Sequence, residues 1–165
     1  MSAFKGSYKI IIDGKSRLSL PAKLRRATQA TVYDQFVLSR GLEGCLFLFA
    51  ADEWQRIEEK LKTLSFTQSD TRLFTRMLLS QATDAILDTQ GRITIPQNLL
   101  DQAQLSKEQE ALVIGNLNRI EIWNKSVWEN YLKNSPKSYE QVAESILLWK
   151  NYLIDQFFYK KLPSC

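Results

Sequence analysis

The sequence predicts a mainly β fold with helices (α+β), in which one strand-turn-strand unit occurs twice and helices join and follow the copies. Three observations carry this. First, Ile12-Asp13-Gly14-Lys15-Ser16-Arg17-Leu18-Ser19-Leu20-Pro21 returns 75 residues later as Leu87-Asp88-Thr89-Gln90-Gly91-Arg92-Ile93-Thr94-Ile95-Pro96. Second, polar and apolar residues alternate after the arginine in both copies, the period of a half-buried strand. Third, the stretches between and after the copies repeat apolar residues at helical spacing.

The elements follow in order. A strand over 8–12, or 85–87, meets a turn centred on Gly14 or Gly91, and Asp-Gly is a hairpin signal. A second strand covers 17–20 or 92–95. Pro21 and Pro96 stop it and can open a short helix, over 22–28 and 97–103. Two further strands close each unit, 31–38 with 45–49, and 111–115 with 119–123. The match persists through Leu24/Leu99, Leu38/Val113 and Leu42/Leu117. The offset then drops to 74, as one deleted loop residue would produce, for Leu46/Ile120, Leu48/Ile122 and Trp54/Trp128. The expected organisation is a first unit over 7–53, connecting helices over 54–81, a second unit over 82–127 and a helical extension over 128–165.

In the connecting region, residues 53–64 place Trp54, Ile57, Leu61 and Leu64 on one helical face. A second helix carries Leu73, Phe74, Met77 and Leu78, with Ser69 or Asp70 as its cap. A third helix follows from Ser126 to about Lys133. Ser135-Pro136-Lys137-Ser138 breaks the chain. Beyond it, 139–161 reads as a helix with Val142, Ile146, Trp149, Leu153 and Phe157 on one side. Such a face needs cover, either from its own domain or from a second subunit.

Composition narrows the function. The 165 residues are 44% apolar and 24% charged, the balance of a globular protein. Histidine is absent, which removes the commonest general base and the commonest zinc ligand. No nucleophile elbow, P-loop, Rossmann fingerprint or metal spacing is present, so neither an enzyme nor a cofactor or small-molecule ligand is expected. Cys45 lies in an apolar run and reads as a buried core residue, while Cys165 ends the chain. A signal peptide is not expected, because Met1-Ser2-Ala3-Phe4-Lys5-Gly6 lacks an apolar core, nor is a membrane span, because the apolar stretch 146–159 is interrupted by Lys150, Asn151, Asp155 and Gln156.

Net charge is only +4, but it is unevenly placed. Residues 5–26 hold Lys5, Lys9, Lys15, Arg17, Lys23, Arg25 and Arg26 against Asp13 alone, a local charge of +6. The matched stretch 80–101 has Arg92 against Asp84, Asp88 and Asp101, a local charge of −2. A duplicated unit is its own control: what the fold requires should recur, and what serves a partner need not. A phosphate polyanion suits such a surface, and a β-ribbon can enter a major groove. A solvated basic face is the alternative. Asp13/Arg17 recurs as Asp88/Arg92, so Arg17 is either a brace of its own turn or a DNA contact.

The repeated Asp-x-x-Gly-Arg-apolar-x-apolar-Pro pattern resembles the AbrB-type swapped-hairpin DNA-binding domain. Two copies in one chain resemble the MraZ family of transcriptional regulators, and so do Ser39-Arg40-Gly41-Leu42-Glu43-Gly44-Cys45-Leu46 and Asn118-Arg119-Ile120-Glu121-Ile122-Trp123. The resemblance covers residues 5 to about 133. It implies two swapped-hairpin β-barrel units paired within one chain about an internal pseudo-twofold axis. It also implies a cytoplasmic, nucleoid-associated protein that forms ring-shaped homo-oligomers. Such a protein binds double-stranded DNA at repeated sites in the promoter of the division and cell-wall gene cluster, including its own gene. The family's contacts map onto Lys15 and Arg17, with Lys9, Lys23, Arg25 and Arg26 expected on phosphates. One departure stands out: Ser16 occupies the position of the motif glycine (Gly91 in the second copy), and Gly14 is expected to supply the flexible turn instead. An antitoxin of the same hairpin type is a competing reading, but such chains carry one unit and a disordered tail. Nucleoid compaction without sequence preference is a milder variant.

Overall fold

The computed structural model describes residues 3–26 and 35–148. Two compact units emerge, Met1–Glu129 and Asn130–Cys165. The first contains β1 (Phe4–Ile11), β2 (Arg17–Ser19), α1 (Ala22–Arg25), β3 (Gln35–Arg40), β4 (Leu46–Ala50), α2 (Ala51–Lys62) and α3 (Ser69–Leu79). It continues with β5 (Thr83–Ile86), β6 (Arg92–Thr94), α4 (Gln97–Gln102), β7 (Glu110–Leu117) and β8 (Arg119–Asn124), and α5 (Lys125–Lys133) begins in it. The second unit holds α6 (Tyr139–Leu148).

The strands form a six-stranded antiparallel sheet, β1-β7-β8-β4-β3-β5, and a separate two-stranded ribbon, β2-β6. The register reveals the symmetry. Ile10 lies opposite Ala111 in the β1–β7 pair, and moving both by 75 residues gives Ala85 opposite Phe36 in the β5–β3 pair. Leu38 opposite Leu48 likewise becomes Val113 opposite Ile122. Two pairs map onto themselves: Leu18 with Ile93 in the ribbon, and Phe47 with Glu121 between β4 and β8. A pseudo-twofold axis therefore passes through both pairs, as expected for two swapped hairpins in one chain.

The swap corrects one local expectation. The residues around each turn do not zip into a hairpin ladder of their own. β1 pairs with β7 of the other repeat, and β2 pairs with β6. The turn survives as the bond from the Asp13 amide to the Arg17 carbonyl at 2.9 Å, repeated from Asp88 to Arg92 at 2.9 Å. The reason is burial. Leu18 and Ile93 are fully buried on the axis, and Leu20, Leu24, Ile95, Leu99 and Leu100 join them in one core. Each such aliphatic chain contributes about 1.5–3 kcal/mol when removed from water, and neither repeat alone supplies both walls of this core.

A smaller cluster packs Val37, Phe49 and Trp54 with Ile57 and Leu78, holding α2 and α3 to the sheet. Its counterpart in the second repeat is the edge-on pair Trp123 and Trp128, 5.0 Å between ring centres. Helix starts differ from expectation. Neither Ser69 nor Asp70 caps α3; both lie in its first turn after Gln68. The effective caps are Asn124 for α5, whose Oδ1 accepts from the amides of Ser126 and Val127, and Ser138 for α6, in a reciprocal box with Gln141. The expected strand start at 31, the end of the first short helix at 28 and the helix beyond Leu148, with Trp149, Leu153 and Phe157, lie outside the described residues.

Candidate nucleic-acid interface

Alternation along the ribbon sets its outer face. Leu18 and Ile93 point into the core, so Arg17, Ser19, Arg92 and Thr94 face out around the axis. The turns 13–16 and 88–91 flank it at opposite ends. Each is tied to the other repeat: the Ile95 amide donates to the Ser16 carbonyl at 2.8 Å, and the Leu20 amide donates to the Gly91 carbonyl at 2.9 Å.

The turns share one construction. In the first, Asp13 Oδ1 accepts from the amides of Lys15 and Arg17, both at 2.9 Å, and Oδ2 accepts from Arg17 Nε at 2.7 Å. In the second, Asp88 Oδ1 accepts from the amides of Gln90 and Arg92 at 2.9 and 3.0 Å, and Oδ2 from Arg92 Nε at 2.7 Å. The backbone donation from the arginine, foremost, holds each carboxyl below its ordinary range, with the guanidinium adding to it. Because the arrangement is the same in a basic and an acidic repeat, the Asp–Arg pair is a brace of the turn. Each guanidinium keeps further N–H groups beyond the bonds to its aspartate.

The expectation for Gly14 is corrected. Positive φ falls at Ser16 (62°) and at Gly91 (74°), the matched positions, and not at Gly14. Ser16 is thus a serine in left-handed backbone, buried beneath the turn. A Cβ at Gly14 would instead meet the Glu108 carboxylate at 2.7 Å. At Gly91 the space is filled from across the axis: an added Cβ would lie 2.5 Å from Arg25 Nη1. Arg25 also donates from Nε to the Leu20 carbonyl at 3.1 Å.

The six predicted site residues are therefore not one patch. Lys15 and Arg17 stand at one end of the ribbon. Lys23 and Arg26 stand on or just after α1 at the other end, beside the second turn, with Arg25 laid over Gly91. Lys9 is exposed on β1, in the six-stranded sheet and off the ribbon. Lys15, Lys23 and Arg26 are exposed and have no ion-pair partner among the described residues. β2 holds the two groups apart, and the swap sets the second repeat's turn beside Lys23 and Arg26.

A second feature lies away from the ribbon. Arg40, Leu42, Phe47, Trp54, Phe74 and Met77 line an apolar groove of about 400 Å³. Phe74 and Met77 on α3 and Leu42 beside it are exposed. The Arg119 guanidinium sits 4.7 Å from the centre of the Phe47 ring and pairs with the buried Glu121 at 2.9 Å. Glu121 also accepts from Trp123 Nε1 and Asn116 Nδ2.

Fold and turns together define a tandem swapped-hairpin protein of the AbrB type, with both halves in one chain. Sequence comparison agrees. The family model described as "MraZ protein, putative antitoxin-like" matches twice, over residues 3–77 and 78–149. The chain belongs to the MraZ family. It is 45% identical over 141 residues to the transcriptional regulator MraZ of Caldanaerobacter subterraneus subsp. tengcongensis and to that of Thermoanaerobacter pseudethanolicus. Each alignment covers 86% of this chain and 94% of the relative. No helix among the described residues is long and apolar enough to cross a membrane.

Proposed function

We propose that this protein is a transcriptional regulator that binds double-stranded DNA sequence-specifically through the ribbon and its two turns. The observation that carries the reading is the charge contrast between matched surfaces, +6 over residues 5–26 against −2 over residues 80–101, on one symmetric scaffold. The scaffold does not require those cations, since Gln90, Asn98 and Asp101 hold the positions of Lys15, Lys23 and Arg26. Lys15, Lys23 and Arg26 contact phosphates or groove edges, Arg17 presents its outer N–H groups, Arg25 sets the second turn, and Lys9, off the ribbon on β1, adds a separate phosphate contact. Its sites are repeated sequences in the promoter of the division and cell-wall gene cluster, its own gene included, and it works in the cytoplasm at the nucleoid. The two relatives named as transcriptional regulators support the regulatory role.

The protein also assembles with copies of itself as a ring. The exposed apolar residues on α3 and beside its groove suit a subunit contact better than solvent. A ring would present several weak ribbons to repeated sites, and linkage raises their effective concentration.

The test is a binding titration on DNA from upstream of the protein's own gene and on scrambled DNA, at several salt concentrations. With about four phosphate contacts per ribbon, log K should fall against log salt with a slope of roughly −3 to −4. Equal affinity for both DNAs at every salt concentration would replace the regulator reading with general nucleoid binding.

A further inference from the structure

The second repeat lacks the cations, yet its exposed residues share the same outer surface. We infer that Gln90 and Asn98 are the base-reading residues of this interface, each set beside cations of the first repeat that hold the phosphates. The inference rests on the DNA-binding reading above.

The pseudo-twofold axis makes Gln90 the counterpart of Lys15, and Asn98 the counterpart of Lys23. The swap then crosses them over. Gln90 belongs to the turn that lies against Arg25, so it shares its end of the ribbon with Lys23 and Arg26. Asn98 is the second residue of α4, just after the Ile95 amide that bonds to Ser16, so it shares the opposite end with Lys15 and Arg17. Each end thus holds one amide without a side-chain hydrogen bond among the described residues and at least two cations, drawn from different repeats.

Their chemistry divides the work. A lysine or arginine on a phosphate fixes position and carries no sequence information. A carboxamide offers a donor and an acceptor side by side, the pattern that matches the N6 and N7 edge of adenine in the major groove. Both amides are available for this. Gln90 and Asn98 are exposed, and their side chains make no hydrogen bond among the described residues. Gln97 differs, because its Nε2 is held by Asp101 at 2.8 Å. Scale also fits. A three-residue strand at about 3.4 Å per residue is about 10 Å long, comparable with a major groove about 12 Å wide.

The experiment selects binders from a duplex library with a randomised core, using the full chain and its Gln90→Ala, Asn98→Ala and Lys23→Ala variants. The affinity of each is then measured for the selected duplex and for a scrambled one across a salt series. Gln90→Ala and Asn98→Ala should each reduce the preference for the selected duplex by roughly five- to hundredfold. Affinity for the scrambled duplex and the salt slope should not change. Lys23→Ala should weaken both duplexes alike and lower the slope by about 0.9. Circular dichroism and thermal melting confirm that the exposed variants remain folded. If both amide variants recover the wild-type motif with undiminished preference, the inference is overturned while DNA binding stands. If the wild type binds no duplex even at low salt, both readings fall.

Discussion

Gly91→Ala probes the contact that joins the two repeats beneath the interface. Three effects combine. An alanine at φ 74° occupies left-handed backbone, which costs about 1–2 kcal/mol for a residue with a Cβ. Restricting the unfolded chain offsets about 0.5–1 kcal/mol of that. The new Cβ would stand 2.5 Å from Arg25 Nη1, so the guanidinium must move and release its bond to the Leu20 carbonyl; such a bond contributes about 0.5–1.5 kcal/mol net. The expected loss is about 2 kcal/mol, a fall in Tm of roughly 4–8 °C for a chain of this size. Urea unfolding followed by tryptophan fluorescence measures it. The decisive comparison repeats the substitution in an Arg25→Ala background. There only the backbone term remains, and the cost should drop to about 1 kcal/mol or less. An equal cost in both backgrounds would refute the claim that Arg25 packs across the axis on the second turn.

Further outcomes follow from the same geometry. Ser16→Gly should leave the fold intact and stabilise it by up to about 1 kcal/mol, the left-handed cost removed less the added freedom of the unfolded chain; urea unfolding would show a loss if Ser16 were not in that conformation. Asp13 and Asp88 have carboxyls held below their ordinary range. Their contribution is fully present above the unfolded pKa and disappears as pH falls through the lower folded pKa. An Asp13→Asn, Asp88→Asn chain should therefore show a flatter stability profile than wild type through and below the carboxylate range, read from melting temperature against pH. Burial, chiefly, and the nearby Glu121 and Glu43 push the Cys45 thiol up to about 12, so a disulfide reagent should modify it only after denaturation. Phe74→Glu with Met77→Glu should reduce the assembled mass measured by light scattering while preserving the circular dichroism of the fold.

The sequence made the fold legible because duplication left its constraints visible twice. Asp13/Asp88, Arg17/Arg92, Pro21/Pro96 and the buried Leu18/Ile93 recur where the turn brace and the axis need them. It could not reveal which strand pairs with which, because β2 alternates identically whether it pairs with β1 or with β6. Ser16 misled for a related reason. Glycine preference marks left-handed positions only statistically, and here Gly14 nearby offered a false substitute. The caps at Asn124 and Ser138 follow ordinary helix-start chemistry, and Ser138-x-x-Gln141 is a readable capping box. The cationic residues were legible as a set. Their division between the two ends of the ribbon was not, since Lys15 and Lys23 are close in sequence and only the three residues of β2, with the core beneath them, hold them apart.

That division bears on how the two copies can differ in charge while sharing one fold. At the ribbon the repeats are joined chiefly by apolar side chains and backbone groups: Leu18 on Ile93, Ile95 to Ser16, Leu20 to Gly91. Lys15, Lys23 and Arg26 project outward from this frame, while Arg25 reaches across it to Gly91. Having Gln90, Asn98 and Asp101 at the positions matching Lys15, Lys23 and Arg26 leaves these bonds in place. The two surfaces could then diverge while sharing one core. The swap alternates elements of the two repeats around the ribbon, so divergence in sequence becomes alternation in space. A charged element and an uncharged polar element stand side by side at each end. In two separate domains the same substitutions would have produced one basic domain and one acidic one. Interleaved, they produce a single face on which holding and reading can be adjacent tasks.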